Sequence, residues 1–225
     1  MPVRTVIFDW GGTLTPWHTI EPRQAWIHAV ADAELAARLA AAENEIWKRT
    51  HDGHRSGSLA EVFATVGVQH TPQMLDAFHD WWEPHTYLDP DAPGLFEALR
   101  EREIRIGVLS NTLWSREQHE RIFERDGVLG HIDGAVYSSE IPWTKPHPEA
   151  FRAALAAVEV DDPAEAVFVG DRPFDDIHGA KSVGMRAVLI PHSDIPAEQR
   201  GPVQGDPDAV IHRLADLLAV VDAWR

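Results

Sequence analysis

The sequence contains no cysteine among its 225 residues. That absence excludes disulfide bonds, thiolate nucleophiles and zinc sites built on cysteine, and it is typical of a cytoplasmic protein. The sequence also lacks an apolar run of about 18 residues, so no membrane-spanning helix is predicted. Its first apolar stretch ends at Asp9, which makes it too short for a signal peptide. We therefore expect a soluble, cytoplasmic chain.

Positive charge is scarce as well. The chain has 20 Lys and Arg against 36 Asp and Glu, a formal net charge of −16. Such a surface repels nucleic acid and anionic membranes, so neither is predicted as a partner. Clustered carboxylates do attract divalent cations. The expected partners are therefore a metal ion and a small molecule, and both a monomer and a homodimer stay open.

The N-terminal part of the chain predicts one strand followed by helices. The apolar run Val3–Phe8 is stopped by Asp9 and a glycine pair, as expected of a buried strand that ends in a tight turn. Strong helix formers then fill Pro22 to Lys48. A capping box at Ser58–Glu61 predicts the start of a further helix. Thr71 as N-cap, with Pro72 at the first helical position, predicts another. An all-helical segment is expected here.

From residue 86 onward strands and helices alternate. This alternation predicts an α/β fold, a Rossmann-like parallel sheet flanked by helices. An amphipathic helix over Ala209–Ala223 is expected to close the chain. We predict an α/β core of residues 1–15 and 86–225, with residues 16–85 inserted after the first strand as a helical cap. The later strands are predicted at 104–109, 132–137, 166–169 and 187–190.

Polar residues follow the predicted strands. In an open parallel sheet, ligands bind at the carboxyl ends of the strands, so residues placed there can converge on one site. An aspartate there can accept a phosphoryl group, carboxylates can hold a divalent metal that screens the charges, and a lysine can neutralise the transition state. The residues in question are Asp9 and Thr13, then Ser110-Asn111-Thr112, then Lys145, and finally Asp171, Asp175 and Asp176.

Four segments in order resemble the motifs of the haloacid dehalogenase-like hydrolases. They read FDWGGTLT at Phe8–Thr15, VLSNT at Val108–Thr112, TKPHPEAF at Thr144–Phe151 and VGDRPFDDIHGA at Val169–Ala180. The resemblance covers the whole predicted core, and the helical insertion lies where that superfamily has its cap. It implies a Mg²⁺-dependent hydrolase acting on a small phosphorylated metabolite.

The resemblance also implies a role for each matching residue. Asp9 becomes the nucleophile and a metal ligand, and Lys145 becomes the catalytic lysine that binds phosphate. The backbone carbonyl of Gly11 and the side chains of Asp171 and Asp176 complete the metal site. Asp175 falls at a position without a specified role. Thr13, Ser110 and Asn111 are expected to bind the substrate.

Gly11 departs from the phosphatase pattern, which has a second aspartate at this position. That side chain protonates the leaving group and later activates water, and loss of such a group slows a reaction by roughly 10²–10⁴-fold. Three interpretations remain open. A phosphatase could use a good leaving group or an acid borrowed from the cap, for which the candidates are His18, His51 and His54.

The second interpretation is similarity to phosphonoacetaldehyde hydrolase, which also has a small residue here and acts on a phosphonate through a Schiff base. Lys48 is the cap lysine that could form it. The third is a relative that binds metal and phosphate but has lost turnover. Dehalogenation is disfavoured, because dehalogenases of this family work without a metal and Gly170-Asp171 indicates one.

Several tryptophans adjoin the motifs. They could line an apolar specificity pocket between core and cap, or they could pack in the core or at the junction. The sequence leaves both interpretations open for Trp10, Trp17, Trp114 and Trp143.

Overall fold

The computed structural model describes residues 1–16, 20–191 and 205–225. Within these residues one sheet of six parallel strands has the order β3-β2-β1-β4-β5-β6. This confirms the predicted parallel α/β fold. The first strand is central, so the residue that follows it lies in the middle of the carboxyl edge. The strands are β1 (Thr5–Phe8), β2 (Arg105–Ser110), β3 (Gly134–Tyr137), β4 (Ala166–Gly170), β5 (Arg186–Leu189) and β6 (Ala209–Val210).

Helices cover both faces of the sheet, because alternate side chains of a strand point to opposite sides. Val6 and Phe8 of β1 belong to one hydrophobic cluster, to which α5, α6 and α9 contribute, whereas Ile7 belongs to a second cluster that contains residues of α7 and α8. These helices are α5 (Ala92–Glu101), α6 (Arg116–Arg125), α7 (Pro148–Ala157), α8 (Gly179–Ser182) and α9 (Leu217–Ala223).

The helical segment, α1–α4, lies between β1 and α5 in the chain. It has a hydrophobic cluster of its own around Trp26, Phe63 and Phe78, and that cluster also includes Trp114 of the α/β part. The division into a core and a cap at residues 16 and 85 stays a prediction. The bounds of the helices are α1 (Arg23–Val30), α2 (Ala33–Gly53), α3 (Leu59–Val66) and α4 (Pro72–Trp82).

The stretch of strong helix formers from Pro22 to Lys48 forms two helices, the second of which continues to Gly53. Ala31 adopts a left-handed conformation that ends α1, and the Asp32 carboxylate accepts the free N–H groups that open α2. The two other predicted starts are confirmed. Ser58 accepts a hydrogen bond from the backbone of Glu61, and Thr71 accepts one from Met74.

The predicted helix over Ala209–Ala223 is wrong in its first half. Ala209 and Val210 pair with β5 as a sixth strand, and the Ile211 N–H donates to the Leu189 carbonyl at 2.9 Å. The sheet edge thereby gains backbone partners, and the helix begins only at Leu217. A two-residue strand carries no periodicity that a sequence could show. No helix among the described residues is long and apolar enough to cross a membrane.

Candidate active site

Asp9 lies directly after the central strand and is 6% exposed. Its backbone N–H donates to the Val169 carbonyl at 2.9 Å, which ties it to β4. The Thr13 hydroxyl donates to Asp9 Oδ2 at 3.2 Å. Thr13 was predicted to bind substrate, and the structure shows its hydroxyl hydrogen-bonded to Asp9 from within the same turn.

Lys145 joins two of the acidic side chains. Its buried ammonium donates to Asp9 Oδ1 at 2.5 Å and to Asp176 Oδ1 at 2.7 Å. Asn111 holds the lysine backbone from both sides, since its amide donates to the Lys145 carbonyl at 3.0 Å and accepts from the Lys145 N–H at 2.8 Å. Asn111 was predicted to bind substrate, and the structure shows its amide hydrogen-bonded to the backbone of Lys145. Ser110, the last residue of β2, is buried.

Asp176 lies in a π-helical turn, Pro173–His178, that follows the end of β4. Its Oδ2 accepts the Arg172 N–H at 2.9 Å. A Cβ at Gly170 would lie 2.3 Å from the Asp176 carboxyl, so the close approach requires glycine there. Asp171 is 1% exposed, and neither of its carboxylate oxygens has a hydrogen-bond partner among the described residues.

The three carboxylates fit a divalent cation. One oxygen from each of Asp9, Asp171 and Asp176 lies within 4.8 Å of the others. Burial raises the pKa of Asp9, with the charge of Lys145 opposing and that of Asp176 adding to the shift. Burial, followed by the charges of Asp9 and Asp176, raises the pKa of Asp171 well above its usual range. Buried carboxylate oxygens without partners are the ligands that Mg²⁺ prefers.

Lys145 carries the balancing charge inside the cluster. Burial by itself lowers the pKa of Lys145, but the charges of Asp176 and Asp9 outweigh it and the net direction is upward. The lysine therefore stays protonated. One ammonium among three carboxylates leaves negative charge over, which a bound cation would compensate.

Gly11 has no steric reason to be glycine. A Cβ built there meets no heavy atom within 4 Å, and its backbone is outside the left-handed region that favours glycine. The missing aspartate at this position is therefore a difference in chemistry rather than a demand of the fold.

Only part of the helical segment meets this edge. The Lys48 side chain is 68% exposed and pairs with Glu45 at 2.6 Å, so the Schiff-base interpretation finds no support. His51 is exposed beside Asp52. His54 contacts the core loops that carry Lys145 and Asp176. His18 and Trp17 lie outside the described residues.

The described tryptophans near the motifs pack against other rings. The ring centres of Trp10 and Trp114 lie 5.7 Å apart, and both rings pack with the hydrophobic cluster of the helical segment. This favours the packing interpretation for these two. Trp143 stacks on His147 at 4.0 Å, two residues from Lys145.

Arg172 is a residue that the sequence patterns did not single out. Its charge lowers the pKa of Asp9, Asp171 and Asp175, although burial outweighs it in each case and raises the pKa of Asp175 to about 6. A lone arginine in a loop has no spacing that would have identified it.

Comparisons with known proteins show which family shares this sequence and fold. A family model of haloacid dehalogenase-like hydrolases matches residues 3–184. The chain belongs to this family of hydrolases. It is 30% identical to a glyceraldehyde 3-phosphate phosphatase of Methanopyrus kandleri, over 97% of each chain. It is also 32% identical to a phosphoserine phosphatase of Thermus thermophilus, over 54% of this chain and 45% of that one.

A solved structure of similar shape extends the likeness to the whole chain. The crystal structure of an HAD phosphatase from Thermococcus onnurineus superposes with a TM-score of 0.69 at 24% identity, covering 97% of this chain and 98% of that chain. At this level of identity the likeness shows the fold alone. The resemblance drawn from the four motifs is confirmed at the level of family and fold.

Proposed function

We propose that the protein is a Mg²⁺-dependent phosphatase that hydrolyses a small phosphorylated metabolite through an aspartyl-phosphate on Asp9. The observation that carries this proposal is the Lys145 ammonium bridging Asp9 and Asp176. Asp171 adds a carboxylate without partners. A full-length relative named as a phosphatase supports the same reaction class.

Each residue then has a physical task. A carboxylate oxygen of Asp9 attacks phosphorus, while Lys145 neutralises charge on the phosphoryl oxygens. Ser110 and backbone N–H groups near it hold those oxygens, and Thr13 and Asn111 position Asp9 and Lys145. Asp9, Asp171, Asp176 and the Gly11 carbonyl would hold Mg²⁺. Bound Mg²⁺ would screen the negative charges of nucleophile and phosphate from each other.

The substrate is proposed by class. The relative from Methanopyrus kandleri is named for glyceraldehyde 3-phosphate, so a triose phosphate is the first compound to test. We further propose that residues 16–85 act as the cap that selects the organic part of the substrate. The three buried carboxylates that could hold a metal disfavour a dehalogenase, because dehalogenases of this family need no metal.

Replacement of the nucleophile tests the proposal. With Mg²⁺ present, Asp9→Asn should lose more than about 10³-fold in turnover of p-nitrophenyl phosphate and glyceraldehyde 3-phosphate, because the amide cannot form the phosphoenzyme. Beryllium fluoride, which mimics an aspartyl-phosphate, should bind the wild type tightly and the variant not at all. Asp161→Asn, at an exposed position, is the matched control. If no phosphate ester shows turnover that depends on Asp9, the proposal is wrong.

A further inference from the structure

We propose that His54 of the helical segment protonates the leaving group and later deprotonates the attacking water, in place of the side chain that Gly11 lacks. The inference rests on the proposed function, because it assigns the missing acid and base of that reaction. Lys145 is committed to Asp9 and Asp176 through its ammonium. The acid must therefore come from another element.

The backbone at His54 is tied to the segment that leads into Lys145. The His54 carbonyl accepts the Thr144 N–H at 3.1 Å, and Thr144 directly precedes the lysine. Arg55 pairs with Trp143 in an antiparallel bridge, and the Ser56 hydroxyl donates to the Ile141 carbonyl. The turn after α2 is thereby held against the catalytic loop.

The imidazole of His54 reaches the turn that carries Asp176. Its ring lies 6.3 Å from the ring of Phe174, between the positions of Asp171 and Asp176 in the chain. His54 therefore touches the loop before Lys145 through its backbone and the acidic turn through its ring. Its Nδ1 is buried without a hydrogen-bond partner among the described residues.

A change of direction in the chain brings His54 to this place. The residue ends α2 in the left-handed conformation, with φ 50° and ψ 34°, and its N–H closes the helix on the Thr50 carbonyl at 3.0 Å. Histidine, asparagine and aspartate are enriched among the few non-glycine residues that adopt it. His51, one turn earlier, stays exposed and pairs with Asp52.

The surroundings of the ring are compatible with proton transfer. Burial lowers the pKa of His54, the charges of His147 and His51 lower it further, and the Thr50 carbonyl opposes them. The acidic turn also carries Arg172 and Asp175 beside Phe174. An arriving phosphate dianion favours the imidazolium, so the substrate itself promotes the protonated form.

The proton balance closes over one turnover. As Asp9 bonds to phosphorus, the phosphorus–oxygen ester bond breaks, and the leaving oxygen takes the proton of the His54 imidazolium. Neutral His54 then removes a proton from water, whose oxygen attacks phosphorus. The bond to Asp9 breaks, inorganic phosphate leaves, and His54 is again the imidazolium.

His54→Asn tests the inference, because asparagine tolerates the left-handed backbone and cannot transfer a proton. With an alkyl phosphate the variant should lose about 10²-fold or more in kcat, with the pH dependence of the remaining rate altered. With p-nitrophenyl phosphate, whose leaving group needs no proton, it should release a burst of nitrophenolate. Slow turnover should follow, and phosphorylated Asp9 should accumulate.

Two further variants distinguish chemistry from structure. Gly11→Asp should restore the alkyl phosphatase activity of His54→Asn, because the aspartate would supply the missing acid without a steric clash at its Cβ. Added imidazole should raise the activity of His54→Gly. Lys48→Gln, at an exposed position of the same helix, is the matched control and should keep wild-type kinetics.

The outcomes separate the inference from the proposed function. Equal losses on both substrates without a burst, or undiminished activity of His54→Asn, would overturn the role of His54 and leave the phosphatase proposal standing. Absence of turnover dependent on Asp9 in the wild type would overturn both.

Discussion

Two buried regions of this molecule contain polar groups, but those of the first are charged and those of the second are neutral. The first is the acidic cluster of the candidate active site, formed by Asp9, Lys145, Asp171 and Asp176. The second, here called the aromatic joint, lies where α4 of the helical segment meets α6. It consists of Trp10, His79, Trp82, Trp114, His119 and Tyr137. Both contain buried polar atoms without hydrogen-bond partners among the described residues.

The difference lies in charge. In the acidic cluster, burial raises the pKa of Asp171. Burial lowers the pKa of Lys145, but the charges of Asp176 and Asp9 raise it overall, so the lysine stays charged. In the aromatic joint, burial lowers the pKa of both His79 and His119 to about 4, so both rings are neutral at pH 7. A neutral unpaired group costs far less than an unpaired charge. The joint therefore holds no unpaired charge, whereas the acidic cluster holds negative charge that a bound cation would compensate.

The largest expected effect is on the joint. Trp114 is 9% exposed and contacts rings of both the helical segment and the α/β part. Trp114→Ala should lower the free energy of unfolding by about 3–5 kcal/mol, because a large cavity opens. Urea unfolding measures it. Tyr87→Ala, on a half-exposed ring under Arg125, is the control and should cost at most about 1 kcal/mol. Equal losses would contradict this account of the joint.

The second effect is a dependence on pH. Because the pKa of His119 falls from 6.5 to about 4 on folding, the unfolded state binds more protons between these values, and stability must rise with pH across this range. Across this pH range the free energy of unfolding should rise by about 3 kcal/mol. His119→Phe should flatten the pH dependence of unfolding by that amount. His28→Gln, at an exposed position, should leave the curve parallel to that of the wild type.

The third and smallest effect has the opposite sign. The pKa of Asp171 is raised on folding, so with rising pH the unfolded state loses its proton first, and stability falls until the folded carboxylate ionises. In metal-free buffer at pH 7, Asp171→Asn should stabilise the protein by roughly 1–3 kcal/mol. The gain should vanish at low pH, below the usual 3.8 of an aspartate.

Added Mg²⁺ should reverse the order of stability of the wild type and Asp171→Asn. Added Mg²⁺ should raise the melting temperature of the wild type and leave that of Asp171→Asn almost unchanged. Asp161→Asn serves as the control without either effect. A variant no more stable than the wild type in metal-free buffer would show that the buried carboxylate carries no net cost.

Much of the fold could be predicted from local patterns. The predictions of a buried strand before Asp9 and of helix starts at Ser58 and Thr71 agree with the structure. Each depends on residues that are close together in the chain. The break at Ala31 was missed because alanine is a strong helix former, and its left-handed conformation depends on how α1 and α2 pack. The short strand at Ala209 depends on a sheet edge that is distant in the chain.

The candidate site divides in the same way. Its acidic residues could be chosen because carboxyl ends of parallel strands share an edge. Asn111 could be selected in the same way, because it directly follows β2. Its contacts with Lys145 could not be predicted, because the two residues lie 34 apart in the chain. No spacing distinguished His54 from Lys48 or His51 either. Of these three residues, the turn after α2 brings His54 to the loops of the candidate site.

The sequence by itself determined which residues end each strand, and with them the family and the chemistry that Asp9 can take part in. Tertiary structure decided how these charges pair and left the Asp171 carboxylate without a partner among the described residues. It also left space at Gly11 for a larger side chain. It also decided which side chains of the helical segment come within reach of the site. Periodicity and capping act between near neighbours, whereas charge pairing and burial arise only when distant segments pack.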